Sequence, residues 1–511
     1  MRLAPLTLCL AAACTASMPP AEPEEFVLSV AEPEMANLYP ATTGLTITEL
    51  PRTPPTPLQV VAGVVGRSIG SDARGRVAWL ARSARFAALA APEPRGLQCD
   101  AGLRARPTLH DLETGRSERL ESIVAIDPRG RYLVFSVSAR LWLLDGDTGT
   151  RTELAGRGAA PRDLGGPCAF DRRAAFDTTG RHLTYLRGAR SPEQVIWRDL
   201  TSDHELTVVL PSAARPLWRA EPSVTAGWLR VFSVPHDSDE DGHHSFPTRH
   251  VGSRPLHDGD DAIVSHTLTV GDTPPITGEG GRSDFGVTPL GGDLFAPLNN
   301  HNSSLVGNRG AAPSLPPDCR GALGLDGVPA VLLQCSPEDR LWWPRSHQSL
   351  ELTSGGLLEA DTHRADDGHL WLAARVRLQP RETHVLRVDT TRAAAFAGPR
   401  LLLDAQEPGE EFMHADRGGW LYFNNPAGLL ALHVGTGDTR VHLGAFARKL
   451  RPGAAELQGR WYALDPARAR MHALPDAPAA VAENGCALVS SNPEPDLRAT
   501  QGPWTLHCPQ P

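Results

Sequence analysis

One short pattern of polar and apolar positions recurs along the chain: an Asp, two residues, a Gly, a polar residue and then an alternating apolar run. The clearest copies begin at Asp72, Asp127 and Asp177, and weaker copies begin at Asp366 and Asp416. An Asp side chain caps a tight turn, the Gly supplies the backbone angle that the turn needs, and the alternation is typical of a half-buried strand. Each copy therefore predicts a turn followed by a β-strand.

A second strand follows each clear copy and ends in a polar hairpin, as in the run from Leu141 to Leu154. Turn-forming glycines recur along the chain at Gly75, Gly130, Gly180, Gly227, Gly292, Gly327, Gly368, Gly418 and Gly459. A spacing of about 40 to 50 residues, without helical runs, is typical of four-stranded propeller blades. The sequence predicts an all-β fold, a single β-propeller of seven or eight four-stranded blades. One of the early strands is expected to complete the last blade.

The repeat resembles a known family. Asp127-Pro-Arg-Gly-Arg-Tyr-Leu-Val-Phe135, followed by Leu141-Trp-Leu-Leu-Asp145, resembles the TolB-type, WD-like repeat of bacterial envelope propellers. Such propellers serve as binding scaffolds, as accessory domains of peptidases and occasionally as enzymes, so the resemblance implies an architecture more than an activity. TolB carries an α/β domain ahead of its propeller. No such domain is visible in this sequence, and the partners of TolB are not carried over.

The chain begins with an export signal. Residues 1–13 contain one positive charge, Arg2, and an uncharged apolar stretch, which predicts a signal peptide. The run Leu10-Ala-Ala-Ala13 before Cys14 resembles the bacterial lipoprotein signal, in which the cysteine sulfur is acylated. The alternative is an ordinary Ala-x-Ala cleavage with Cys14 incidental. We predict lipidation at Cys14 and an exported envelope lipoprotein, anchored in the outer membrane and facing the periplasm or the cell surface.

Two further regions follow the signal. Residues 14–57 are rich in proline and acidic residues and predict an extended, lipid-anchored tether. Residues 58–511 are assigned to the propeller, with a long polar loop inserted at about 235–262. No stretch after the signal reaches 18 apolar residues, so contact with the membrane is expected only through the lipid anchor.

Six cysteines remain after Cys9 leaves with the signal and Cys14 is acylated. An even number in an exported chain favours disulfides. Fifteen pairings are possible, and none of the spacings is the CxxC of a zinc or redox site. Our working hypothesis pairs the neighbours in sequence: Cys99 with Cys168, Cys319 with Cys335, and Cys486 with Cys508.

The inserted loop carries a candidate metal site. Asp237-Ser-Asp239-Glu-Asp241-Gly242 has the alternating carboxylates of a calcium loop, but its twelfth position is Thr248 and a strand precedes it, which excludes an EF-hand. One interpretation is a calcium site formed by Asp237, Asp239, Asp241 and Asp258. Two alternatives remain: a solvated acidic loop, and a transition-metal site, because six histidines lie between 236 and 266.

Charge and motif content narrow the function classes. The net charge of -9 provides no electrostatic footprint for nucleic acid, and Lys449 is the only lysine. Gly66-Arg-Ser68-Ile-Gly70 matches a nucleophile elbow, but too little chain precedes it for the hydrolase fold. We expect the tryptophans near the repeats to pack between blades.

Two functions remain open for the predicted propeller. The first is an envelope binding scaffold for another protein or a polysaccharide. The alternative is a propeller enzyme, of the lyase or glycosidase type, that uses acidic and histidine residues of 236–261.

Overall fold

The fold is taken from a computed structural model of the chain. It describes the following residues: 43–49, 55–69, 75–90, 107–155, 174–187, 194–208, 217–224, 228–233, 264–269, 276–278, 287–291, 294–297, 306–307, 315–316, 318–325, 327–336, 338–352, 357–364, 369–379, 382–400, 414–415, 418–490 and 503–510. Within them the secondary structure is β, apart from one short 3-10 helix, Pro466–Arg468.

Five short strands come first, and each joins a sheet formed by later residues. They are β1 (Thr43–Gly44), β2 (Ile47–Glu49), β3 (Thr56–Pro57), β4 (Gln59–Val60) and β5 (Val64–Ser68).

Five sheets follow in chain order, numbered I to V, with strands paired in sequence. Sheet I contains β6 (Arg76–Leu80), β7 (Phe86–Ala90), β8 (Thr108–Asp111) and β9 (Ser117–Arg119). Sheet II contains β10 (Ser122–Ile126), β11 (Tyr132–Val137), β12 (Arg140–Asp145) and β13 (Arg151–Ala155). Sheet III contains β14 (Ala174–Phe176), β15 (His182–Arg187), β16 (Gln194–Asp199) and β17 (His204–Val208). Sheet IV contains β18 (Leu217–Pro222), β19 (Trp228–Ser233), β20 (Val264–Thr269) and β21 (Ile276–Gly278), and sheet V contains β22 (Val287–Gly291), β23 (Leu294–Pro297) and β24 (Val306–Gly307).

The second half of the chain forms sheets VI to X. Sheet VI contains β25 (Cys319–Gly324), β26 (Val331–Cys335), β27 (Asp339–Trp343) and β28 (Gln348–Leu352). Sheet VII contains β29 (Leu357–Arg364), β30 (Leu370–Gln379), β31 (Glu382–Asp389) and β32 (Ala394–Arg400). Sheet VIII contains β33 (His414–Ala415), β34 (Trp420–Asn425), β35 (Gly428–His433) and β36 (Thr439–Leu443). Sheet IX contains β37 (Ala447–Arg451), β38 (Ala454–Leu457), β39 (Arg460–Asp465) and β40 (Arg470–Leu474), and sheet X contains β41 (Pro478–Val481), β42 (Ala487–Ser490) and β43 (Trp504–Pro509).

The N-terminal strands form a belt along the outer edges of five consecutive sheets. β1, β2, β3 and β4 pair in parallel with β28, β32, β36 and β40, the last strands of sheets VI to IX. β5 pairs antiparallel with β43 and completes sheet X. The prediction that an early strand completes the last sheet is therefore confirmed. Part of the segment predicted as a tether, from Thr43 onward, lies in this belt.

Apolar clusters join neighbouring sheets at nine of the ten steps around the set, and no cluster of described residues joins sheets IV and V. Each cluster draws buried residues from two sheets; representative pairs are Trp79 and Phe135 (I–II), Val134 and Tyr185 (II–III), Trp197 and Leu229 (III–IV), Leu290 and Trp342 (V–VI), Trp343 and Leu386 (VI–VII), Val385 and Phe423 (VII–VIII), Tyr422 and Met471 (VIII–IX), Leu474 and Val489 (IX–X), and Trp504 and Leu89 (X–I). Val224 of the turn after β18 packs in the cluster of sheets VI and VII, beside Val328 and Leu370. Within the described residues the packing therefore runs from sheet V through sheets VI to X to sheet I, and on to sheet IV.

This arrangement is consistent with a propeller: an all-β chain with many four-stranded sheets, packed one against the next. The described residues form ten sheets, so the predicted count of seven or eight blades is not confirmed. The tryptophans behave as expected, because Trp79, Trp197, Trp420 and Trp504 are buried between sheets.

In sheets II and III, the repeated Asp-x-x-Gly pattern forms the turn between the first and second strands. In sheet II the Asp127 carboxylate accepts hydrogen bonds from the backbone N–H groups of Arg129, Arg131 and Tyr132, and Gly130 has a positive φ of 72°. Because one carboxylate satisfies three amides that the turn leaves unpaired, the Asp fixes the turn locally.

The residue after the glycine fixes the end of the third strand. Arg131 donates to Asp145 at 2.9 Å, and Arg181 donates to Asp199 at 2.8 Å. In sheet VII the corresponding His369 lies 2.9 Å from Asp389. The repeat therefore ties the first hairpin of a sheet to its third strand by a charged pair.

Candidate functional site

Two of the three predicted disulfides lie in the described residues and have the predicted partners. Cys319 and Cys335 are register partners in β25 and β26, and Cys486 is bonded to Cys508 of β43. The first bond joins two neighbouring strands, and the second joins the residue before β42 to the neighbouring β43. Cys99 and Cys168 lie outside the described residues, and their pairing stays a prediction.

The other predicted sites fall largely outside the described residues. These are the signal peptide at 1–13, Cys14, and the loop at 235–262 with Asp237, Asp239, Asp241 and Asp258. Within the described residues, no group of three or more His, Cys, Asp or Glu side chains is placed to hold a metal ion. The same part of the chain contains no helix of sufficient length and hydrophobicity to cross a bilayer.

Ser68 is in a strand and not in an elbow. It is the last residue of β5 and is the register partner of Thr505 in β43. A nucleophile elbow requires a sharp turn from a strand into a helix. The antiparallel pairing therefore agrees with the dismissal of this motif from the sequence.

The first strands of the sheets lie on the inside of the circuit. β10 lies close to β14, and β41 lies close to β6, whereas the last strands of sheets VI to IX face outward to the belt. Turns of distant sheets also approach each other: burial, the charge of Arg129 in sheet II and the ring of His433 lower the pKa of His363 in sheet VII to about 3. The inner strands are therefore the part of the molecule where several sheets can contribute to one site.

The first strands of sheets IX, X, I, II and III carry only positive charge. Their four ionisable side chains are all cations and all exposed: Arg448, Lys449 and Arg451 in β37, and Arg76 in β6. Between them, β41 contributes Pro478, Ala479, Ala480 and Val481. In a chain of net charge -9, this local excess of cations favours an anionic ligand on this side.

Not all of these cations are available to a ligand. The Arg451 Nη1 donates to the carbonyl of Pro478 at 2.6 Å, and its guanidinium lies 5.2 Å from the ring of Trp461. Lys449 is held loosely, with its Nζ 3.9 Å from Glu456 and its side chain 55% exposed. Within the described part of the chain, no hydrogen bond or ion pair holds the guanidinium of Arg448.

Two large apolar side chains are exposed next to these cations. Leu443, at the end of β36, is 66% exposed, and Phe446, in the connection to β37, is 46% exposed. We call Leu443, Phe446, Arg448 and Lys449 the connection surface, because they lie where the chain passes from sheet VIII to sheet IX. A guanidinium and an ammonium group bind anions by charge-assisted hydrogen bonds, and the exposed ring adds apolar contact.

The backbone of this connection is fixed by sheet VIII. The side-chain amide of Asn424 donates to the carbonyl of Ala447 at 2.8 Å and accepts from its N–H at 2.8 Å. Leu429 N donates to the carbonyl of Ala445 at 2.9 Å. Ala445 and Ala447 are buried, so the residues that alternate with them, Phe446 and Arg448, are directed to solvent.

Lys449 is the only lysine in the sequence, but the sequence pattern did not predict this surface. The available signal was the run Phe446-Ala-Arg-Lys-Leu-Arg451, in which a lysine and two arginines occur within four residues. Its exposure could not be predicted, because exposure depends on which other parts of the chain pack against it.

Comparisons with known proteins give no family. No family model matches the chain, and no curated protein matches it. Similar solved structures include an oligogalacturonate lyase in complex with manganese, at 12% identity over 80% of this chain and 96% of that chain, with a TM-score of 0.30. An oligogalacturonate lyase from Vibrio parahaemolyticus aligns at 10% identity over 85% and 98% of the two chains, with a TM-score of 0.29. The dipeptidyl peptidase 4 of Porphyromonas gingivalis aligns at 10% identity over 70% and 57%, with a TM-score of 0.31. At these identities and TM-scores, the alignments carry no argument about what this chain binds or catalyses, and the TolB resemblance stays a prediction.

Proposed function

We propose that the chain is an exported, lipid-anchored envelope propeller that works as a binding scaffold for a surface polymer or another protein. The two disulfides support export, because such bonds persist in oxidising compartments. The circuit of packed sheets supports a scaffold, since it holds many connections and turns on a rigid frame.

One observation carries the binding role: two large apolar side chains and two cations are exposed within residues 443–449. Exposed large apolar residues on an otherwise well-packed protein mark interaction sites when they cluster. Arginine and aromatic side chains are also the residues that most often dominate binding energy.

The belt is relevant to the proposed anchor. It begins at Thr43, on the outer edge of sheet VI, and it follows the outer edges to sheet X. A tether that precedes Thr43 joins the molecule at this outer edge and not at the inner strands. The connection surface begins at the end of β36, two sheets further along the belt than the point where the tether joins.

Fractionation of cells tests the anchor. The full chain should be recovered with the membranes, and Cys14→Ser should move it to the soluble fraction of the envelope. Mass spectrometry of the mature amino terminus should show acylated Cys14. An unmodified terminus at another residue would remove the anchor from the proposal.

Capture from envelope extracts tests the scaffold. The purified full chain should retain a defined protein or polysaccharide, and the double variant R448Q/K449Q should retain less of it. Retention that is equal for both forms would place binding elsewhere. The enzymatic alternative depends on residues 236–261, which lie outside the described residues, and it stays a prediction.

A further inference from the structure

We propose that the connection surface binds an acidic polysaccharide, a polymer of sugar rings that carry carboxylate groups. This inference rests on the proposed function as a binding scaffold and specifies its ligand. It is carried by the relative placement of the exposed ring of Phe446, the guanidinium of Arg448 and the ammonium group of Lys449.

Phe446 and Arg448 are presented as a pair. They flank buried Ala447, and both are exposed. Arg448 lies where the register of β37 and β38 shifts, so it falls outside the regular alternation of the strand. An exposed aromatic ring and an exposed guanidinium on either side of one small residue can contact adjoining parts of one ligand unit.

A carboxylated sugar ring offers these two parts. One face of the ring consists of C–H groups and packs against an aromatic side chain, while the carboxylate at its rim accepts hydrogen bonds from a guanidinium. Lys449, the next residue, supplies a second cation. Leu443, three residues before Phe446 in the chain, is 66% exposed and offers further apolar area.

The cations gain from such a ligand without breaking a strong internal contact. The Lys449 Nζ lies 3.9 Å from Glu456, at the limit of an ion pair, and the lysine side chain is 55% exposed although Glu456 is buried. Arg451 behaves differently, since its hydrogen bond to Pro478 joins sheets IX and X. We therefore assign ligand binding to Arg448 and Lys449 and a structural role to Arg451.

A polymer fits better than a single sugar because the positive charge continues past β37. Arg451 of β37 donates to the carbonyl of Pro478 in β41, and β41 lies close to β6, which begins with exposed Arg76. Between β37 and β6, sheet X presents the small, exposed Ala479 of β41. Cations on both sides of a strand with small side chains provide a path for a chain with repeated carboxylates.

An acidic peptide would satisfy the cations as well. The exposed ring beside them favours a sugar, because a peptide of alternating carboxylates does not use Phe446. The contribution of Phe446 therefore separates the two ligand classes.

Binding measurements on the full chain use three probes: alginate as a carboxylated polysaccharide, dextran as a neutral polysaccharide, and poly-glutamate as an acidic peptide. We expect alginate to bind, dextran not to bind, and poly-glutamate to bind more weakly than alginate. R448Q/K449Q should weaken alginate binding about tenfold or more, from loss of two charge-assisted contacts. R116Q/R119Q is the matched control: it removes two exposed cations from sheet I, changes the net charge equally, and should leave the affinity within about twofold.

The variant F446A distinguishes a polysaccharide ligand from a peptide ligand. It should weaken alginate binding and leave poly-glutamate binding unchanged. Because Phe446 is exposed, its removal is not expected to unfold the chain, and the thermal midpoint checks this.

The single lysine allows a direct footprint of the site. An amine-reactive reagent modifies the side chain of Lys449 and no other side chain. Alginate should protect Lys449 from modification, measured by mass spectrometry of its peptide, and dextran should not.

Three outcomes overturn the inference. They are equal binding of alginate and poly-glutamate with no effect of F446A, equal loss of affinity in R448Q/K449Q and R116Q/R119Q, and an unprotected Lys449 at saturating alginate. If alginate does not bind but the chain captures an envelope protein, this inference fails and the proposed scaffold role stands. If the chain binds neither, both fail.

Discussion

Val65 lies directly opposite Cys508 in the antiparallel pair of β5 and β43, so the amino-terminal belt ends by pairing with the last strand of the chain. Cys508 is also bonded to Cys486, which precedes β42. Sheet X is thus held together by both ends of the chain and one disulfide. Trp504 and Leu506 of β43 pack against sheet I, so this sheet joins the end of the circuit to its beginning.

The disulfide of sheet X should stabilise the fold more than that of sheet VI. Its cysteines are 22 residues apart, against 16 for Cys319 and Cys335, which in loop entropy amounts to a difference of only about 0.3 kcal/mol. We expect C486A/C508A to lower the free energy of unfolding by about 2–4 kcal/mol, at least about 1 kcal/mol more than C319A/C335A. Urea unfolding measures both, and equal losses would show that closure at sheet X adds nothing.

Gly180→Ala should destabilise the fold more than another glycine with the same backbone angle. Gly180 has φ +69°, and a methyl group there would collide with the Asp127 carboxylate of the neighbouring sheet. Gly459 has φ +77°, but its surroundings are open. Gly459→Ala should cost about 1–2 kcal/mol for the left-handed backbone alone, and Gly180→Ala should cost at least about 1 kcal/mol more. Similar losses in thermal unfolding would contradict the close approach of sheets II and III.

Stability should fall as the pH drops below about 6.5, in part because of His363. Burial, Arg129 and His433 lower its folded pKa to about 3, so folding favours the neutral ring. The contribution is complete above the unfolded pKa of about 6.5 and is lost as the pH falls toward 3, by about 1.4 kcal/mol per pH unit. His363→Gln should flatten the stability profile between pH 6.5 and 4 in urea titrations. His204→Gln, which replaces an exposed ring, should leave the slope unchanged.

Arg387 should not tolerate replacement by lysine. Its buried guanidinium donates to the carbonyls of Val434 at 2.6 Å and Gly435 at 2.7 Å, and it lies 4.4 Å from the centre of the Trp371 ring. Burial lowers its pKa to about 10. Arg387→Lys keeps the charge but cannot reach both carbonyls, so we expect a loss of about 1–3 kcal/mol in the free energy of unfolding. Arg392→Lys, at an exposed position, is the control. If Arg387→Lys lowers the free energy of unfolding no more than Arg392→Lys does, the two carbonyl contacts contribute little.

Local features of the fold could be predicted from the sequence because they depend on few neighbouring residues. The Asp127 turn, the strands on either side of it and two disulfides between strands that are close in sequence all follow from short-range chemistry. The pattern failed at Asp72-Ala-Arg-Gly75, which precedes β6 and is not the first turn of sheet I. In the first turn of sheet I, between β6 and β7, Ala84 has φ +59°. A non-glycine residue therefore occupies the position that the pattern assigns to glycine.

The candidate site was the part that the sequence located least well. The Asp237 loop was the sharpest motif, and it lies outside the described residues. The connection surface consists of ordinary residues that become distinctive through exposure, and exposure depends on what the rest of the chain covers. Arg451 and Arg448 differ by three positions, yet one is held by Pro478 and the other faces solvent.

The sequence by itself determined the Asp127-type turns, the strands beside them and the all-β class, because capping, backbone angles and alternation act within about ten residues. It left fifteen cysteine pairings open, and the structure decided two of the bonds. Only the tertiary structure decided the number of sheets, the path of the belt and which cations stay accessible. These depend on contacts between residues far apart in the chain, such as Val65 with Cys508, and no local pattern encodes the partner of such a contact.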